Sequence, residues 1–184
     1  MKSIRINIIF LGLIALLSSS CIKNELINFD GTTLEFDAAT YNAKASGEVY
    51  PLLTRVPGYG RATRTAPVAA TSLSPAAPAD PLLTRTSGLV KYRVNLVGAQ
   101  RSEALTVNYR VVATGTTAVS STHYTTGTSL VIPANSSFGE LSVQVVNPGV
   151  TSATPVILIL ELIDSNGVLP SQNFKTIAIS ISQI

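Results

Sequence analysis

The sequence predicts an all-β sandwich, and three observations carry that expectation. Apolar residues alternate with polar ones in run after run of the second half: Val90, Tyr92, Val94, Leu96, then Leu105, Val107, Tyr109, Val111, then Leu141, Val143, Val145, then Ile177, Ile179, Ile181. A period of two places every second side chain on one face of a half-buried strand. Polar turn sequences separate the runs, among them Gly98-Ala99-Gln100, Asn135-Ser136-Ser137, Asn147-Pro148-Gly149 and Asp164-Ser165-Asn166-Gly167. No stretch of the mature region keeps an apolar stripe at helical period, so short strands packed as two sheets are the architecture that remains.

Taken in order, the first strand is expected at residues 33–37, where Leu34 and Phe36 alternate with Thr33, Glu35 and Asp37. Residues 43–87 follow as a long irregular insertion. They hold Pro51, Pro57, Pro67, Pro75, Pro78 and Pro81 amid many Ala and Thr, and no strand or helix period survives there. The insertion contains an echo: Pro51-Leu52-Leu53-Thr54-Arg55 recurs as Pro81-Leu82-Leu83-Thr84-Arg85. Two copies of a pentapeptide do not make a repeat architecture. Strands are then expected around 90–96, 105–111, 130–132, 138–146, 156–163 and 176–181. Pro133 stops the third of these, and the almost wholly apolar run 156–163 reads as a central strand. That makes about seven strands.

The first twenty residues stand apart. Lys2 and Arg5 precede an apolar run over residues 6–17, and Ser18-Ser19-Ser20 leads to Cys21, the one cysteine of the chain. A basic head, an apolar stretch too short to span a bilayer and small residues at a cut site form a secretory signal. The serines ending at Cys21 resemble the lipobox of bacterial lipoproteins. That resemblance implies cleavage before Cys21 and lipid on its sulfur and amino group. The expected organisation is a leader at 1–20, a lipidated tether at 21–31 and a single domain at 32–184. Lipid chains contribute about 0.8 kcal/mol per buried methylene, so two or three of them hold a protein durably on a membrane.

Loss of Lys2 and Arg5 leaves 11 basic residues against 10 acidic ones, a net of +1. The basic character thus belongs mostly to the leader, and no nucleic-acid partner is expected. Without a cysteine pair the fold rests on its apolar core alone.

The carrying residues of a family resemblance are Ala118-Val119-Ser120-Ser121-Thr122-His123-Tyr124, then Leu130-Val131-Ile132-Pro133-Ala134-Asn135, the strand from Phe138, and Leu158-Ile159-Leu160-Glu161-Leu162. This pattern resembles the immunoglobulin-like, Calx-beta-like domains of unknown function in Bacteroidota lipoproteins of the SusD-neighbourhood type. The resemblance implies an antiparallel immunoglobulin-like sandwich, an outer-membrane location and genes beside glycan-uptake systems. His123 stands where the family usually has Asp. The second half offers only Glu140, Glu161 and Asp164 as carboxylates, so no calcium or other metal site is expected, and no cofactor.

His123 is the only histidine, so a Ser-His-Asp arrangement would have to use it; no Gly-X-Ser-X-Gly elbow accompanies it, and a turn role is the expectation. Asp30, Glu35 and Asp37 are the only tight acidic cluster and are read as solvated surface. Residues 51–110 carry eight basic and two acidic side chains. Within them Arg55, Tyr59, Arg61 and Arg64 form the candidate ligand-binding set, since guanidinium and phenol groups on a glycine-bearing loop can hold an anionic glycan or a partner surface.

The expected role is a non-enzymatic accessory binding module, held at the outer membrane through Cys21 and facing the cell surface, with the periplasmic face as the alternative. Its partners would be a glycan or an outer-membrane transport protein. A structural subunit of a surface assembly is the second reading, and a cryptic hydrolase a distant third.

Overall fold

A computed structural model describes residues 31–37, 49–58 and 80–184. Nine strands run through them: β1 (Thr33–Phe36), β2 (Leu52–Leu53), β3 (Leu89–Val97), β4 (Leu105–Val111), β5 (Tyr124–Thr126), β6 (Ser129–Ile132), β7 (Phe138–Val145), β8 (Val156–Leu162) and β9 (Thr176–Ile181). They form a four-stranded sheet in the order β1-β3-β7-β5 and a five-stranded sheet in the order β2-β9-β8-β4-β6. All seven expected strands are present, and β2 and β5 are additional.

Alternation fixes which face each strand buries. In β7 exposed and buried residues alternate without a break. In β3, Val90, Tyr92, Val94 and Leu96 point inward. β8 lies between β9 and β4, as its apolar run predicts. Its outward Ile159 is buried as well, because the chain after β4 lies across it. Ile159 N–H donates to the Thr116 hydroxyl at 3.0 Å, and a Cβ on Gly115 would sit 2.9 Å from the Ile159 side chain. The sheets close over one core, in which each fully buried Leu or Ile contributes about 1.5–3 kcal/mol. The buried Tyr109 of β4 shares a 2.9 Å hydrogen bond between its hydroxyl and that of Thr126 on the opposite sheet, so its polar end has a partner.

Within the irregular stretch 43–87 the described residues are 49–58 and 80–87, and they add short parallel contacts to the edge of β9. Leu52 and Leu53 pair with Ala178 and Ile179 in parallel. Thr84 pairs in parallel with Ser182, further along the same edge. Leu53 and Leu83, the third residues of the two pentapeptide copies, are both buried in the core. Between the copies the chain returns on itself: Arg55 bridges Leu82 in antiparallel sense, and Leu83 N–H donates to Thr54 O at 2.9 Å. The two copies are therefore halves of one edge strand beside β9, split by an excursion that leaves at Arg55 and returns at Leu82. Two-residue contacts of this kind produce no period, so the pattern of the segment could not show them.

Gly98 has φ of +125° and lies so close to Gly31 O that a Cβ there would approach it to 2.6 Å. The outer edge of β1 is covered by residues 169–174, through Leu34 N–H to Leu169 O, Ser171 N–H to Leu34 O and Phe36 N–H to Phe174 O. An edge sealed in this way offers no template for a foreign strand.

Candidate functional site

The outward face of the four-stranded sheet gathers carboxylate, amide, cationic and aromatic side chains from three strands. The register of β1, β3 and β7 places Glu35 beside Asn95 and Asn95 beside Phe138, with Arg93 beside Glu140 in the next row and Lys91 beside Ser142 after that. All occupy the polar phase of the alternation, so the strands that build the core also present this face. The Asn95 side-chain amide donates to Asp37 Oδ1 at 3.2 Å and also hydrogen-bonds Glu35. The Arg93 guanidinium carbon lies 4.0 Å from the Phe138 ring centroid, a cation–π contact. Lys91 Nζ meets Glu140 Oε2 at 2.8 Å. Phe138 remains 39% exposed, which leaves part of its ring open to a ligand.

Glu35 is electrostatically out of balance. Burial raises its carboxyl above the ordinary value of 4.5; the hydrogen bond from Asn95 opposes this, and nearby Asp37 adds to it. A carboxyl raised in the folded state contributes stability that is fully present below its unfolded pKa. That contribution is lost as pH rises through the folded value. Glu35→Gln is therefore expected to raise the melting temperature at neutral pH, with the gain disappearing in acid below the ordinary carboxylate range. Thermal melts of both proteins across that window check it; a fall at neutral pH would contradict it.

Glu161 on the other sheet shows the opposite balance. Burial alone would raise its carboxyl, but hydrogen bonds and charge from Arg110 and Lys175 outweigh this and hold it below the usual range. Its oxygens lie 2.6 Å from Arg110 Nη2 and 3.1 Å from Lys175 Nζ. That cluster is electrostatically satisfied, whereas Glu35 is retained in a setting that disfavours its charge, a mark of candidate functional groups.

Of the residues singled out from sequence, Cys21, Tyr59, Arg61 and Arg64 lie outside the described residues. Arg55 sits at the base of the excursion, half-buried, where its Nη1 donates to the Asp80 carbonyl. There it clasps the two ends of the excursion. His123 closes the turn before β5: its Nδ1 accepts the Val119 N–H at 2.9 Å, and its own N–H donates to Val119 O at 2.9 Å. An aspartate carboxylate can accept the same kind of local backbone bond. Among the described residues no group of three or more His, Cys, Asp or Glu side chains is placed to hold a metal ion.

Phe138, Arg93, Asn95 and Glu140 are not among the candidate site residues that the sequence offers. Their alternation showed each facing outward, but only the register between strands brings them together.

No protein-family model matches the chain, and no curated protein matches it significantly. Among solved structures, the chain is similar to CBD12 from CALX1.2 at 19% identity, over 54% of this chain and 40% of that one, with a TM-score of 0.44. It is similar to a two-domain protein of unknown function from Bacteroides fragilis at 10% identity, over 83% of this chain and 46% of that one, with a TM-score of 0.47. It is also similar to a protein from Bacteroides ovatus provisionally described as carbohydrate-binding, at 11% identity, over 53% of this chain and 32% of that one, with a TM-score of 0.40. The chain spans less than half the length of each. Similarity at this level concerns architecture, and function has to be argued from the site.

Proposed function

We infer that the protein is a non-enzymatic binding module that captures a glycan on the outward face of its four-stranded sheet. The carrying observation is the exposed Phe138 ring, braced by Arg93, with Asn95 and Glu140 as its neighbours on the face and Glu35 one strand further along the same row. A sugar offers an apolar ring face and a rim of hydroxyls that both donate and accept. An aromatic surface beside carboxylate, amide and guanidinium groups complements both features. The leader and the lipobox-like Cys21 support a lipid anchor at the outer membrane, and the family resemblance supports a place beside a glycan transporter.

The test is a glycan-array screen of the chain from residue 22 onward, followed by titration of the best ligand. Phe138→Ala is expected to weaken binding about tenfold, the loss of roughly 1.4 kcal/mol of ring contact. Retained affinity in both Phe138→Ala and Arg93→Ala would move the site elsewhere, and a blank array would end the glycan reading. In cells, Cys21→Ala should leave the membrane fraction. Full protection of the wild type from protease added to intact cells would place the domain in the periplasm instead of on the surface.

A further inference from the structure

The turn between β8 and β9 carries a chemical vulnerability and its safeguard. Asn166-Gly167 is the only Asn-Gly pair in the chain. Asn166 and Gly167 have φ of 56° and 81°, the left-handed pair of a tight two-residue hairpin turn. Ser165 and Val168 close it with two backbone hydrogen bonds, at 3.2 and 3.1 Å. Both flanking residues are buried, Ser165 completely and Val168 to 6% exposure. The Gly167 N–H donates to Asp164 Oδ1 at 2.9 Å.

Asparagine followed by glycine is prone to cyclise, because no side chain on the glycine hinders the approach. The glycine nitrogen loses its proton and attacks the asparagine side-chain carbonyl carbon. A new N–Cγ bond forms, the Cγ–Nδ2 bond breaks, and ammonia leaves with the proton. Water then opens the five-membered imide to aspartate or isoaspartate. Two features of this turn oppose the first step. The nitrogen that must ionise is hydrogen-bonded to a carboxylate, whose negative charge favours keeping the proton in place. The attack also needs a backbone rotation that the two closing bonds resist.

We propose that Asn166 is a latent modification site, restrained by the Asp164 carboxylate, at which imide formation converts the asparagine to isoaspartate whenever the hairpin opens. The consequence would reach beyond the turn. Residues 169–174 leave the hairpin directly and seal the outer edge of β1. Isoaspartate adds a carbon to the backbone, so it would break the two-residue register and loosen that seal.

The experiment ages the full chain in mildly alkaline buffer. Deamidation and isoaspartate at Asn166 are followed by peptide mapping and mass spectrometry for the wild type, Asp164→Ala and Asp164→Asn, with any deamidation at position 164 of the last variant counted separately. Each protein is also aged in concentrated urea to set its unprotected rate. The native wild type is expected to react far more slowly than its unfolded form. Asp164→Ala should react about tenfold faster than the native wild type, matching loss of one charge-assisted hydrogen bond of about 1.4 kcal/mol. Asp164→Asn, which keeps an acceptor but no charge, should fall between them. Hydrogen exchange at Val168 shows whether the variant hairpins stay closed. Equal rates in native wild type and Asp164→Ala with closed hairpins would overturn the proposal, as would a native wild type no slower than its unfolded form. A rise in rate fully accounted for by hairpin opening would assign the protection to the turn alone and remove Asp164 from it.

Discussion

Gly139→Ala is expected to destabilise the sandwich by about 1–3 kcal/mol, the range for overpacking a filled interior. For a domain of this size each kilocalorie corresponds to a fall of about 2–4 °C in melting temperature. Gly139 is the second residue of β7 and faces inward, where the chain has just crossed from the five-stranded to the four-stranded sheet. An added Cβ would lie 2.5 Å from Val131 O, 2.8 Å from a Leu130 methyl and 3.0 Å from Val131 C. Two of these three atoms belong to the backbone of β6. Relief therefore requires moving a strand, not turning a side chain. In open space, alanine for glycine would stabilise by about 0.4–1 kcal/mol through the unfolded chain. Here the steric cost exceeds that gain. Urea melts of wild type and variant check it; unchanged stability would mean that β6 and β7 do not approach this closely.

Leu83→Ala and removal of residues 55–82 should have opposite outcomes, although both act on the same region. Leu83 is 1% exposed in the core, so truncation to alanine is expected to cost about 2–5 kcal/mol. Leu53→Ala, at 4% exposure on the same edge, falls in the same class. Joining Thr54 directly to Leu83 should leave the sandwich folded, with a melting temperature close to that of the wild type. Leu53 stands opposite Ile179 and Thr84 opposite Ser182, so Thr54 and Leu83 fall at adjacent levels of β9 with the inward phase preserved. Thr54 O already accepts the Leu83 N–H at 2.9 Å. Removing the excursion gives up the Arg55–Asp80 clasp and regains the entropy of closing a long loop, which varies by only about 0.6 kcal/mol per doubling of length. Circular dichroism and melting of the joined chain check it. Loss of the fold would show that the excursion is structural, and retention of the fold with loss of ligand binding would place recognition on it.

Neither outcome could have been read from local pattern. The pentapeptide echo is visible in the sequence, but its use is not: two leucines on either side of a long excursion become neighbours only because β9 accepts both on one edge. β5 leaves no signature in the sequence for a related reason. It is three residues long and is defined by its pairing with β7, not by any alternation of its own. The candidate face shows the same division. The polar phase of residues 91–95 and 138–144 is plain in the sequence, yet Glu35, Asn95 and Phe138 come from three strands.

The class of fold, seven of the nine strands, the inward phase of those that alternate, the central place of β8 and the sharp turns are all legible in the sequence. All of these rest on interactions local in the chain: period-two burial, and the backbone demands of Asn, Gly and Pro. Which strands are neighbours, where the split edge strand joins, why Gly139 must be glycine, and that the charge of Glu35 is disfavoured are settled by the three-dimensional packing alone. Those depend on distances between residues far apart in sequence. Period alone does not specify them, because many pairings of the same strands would bury the same faces.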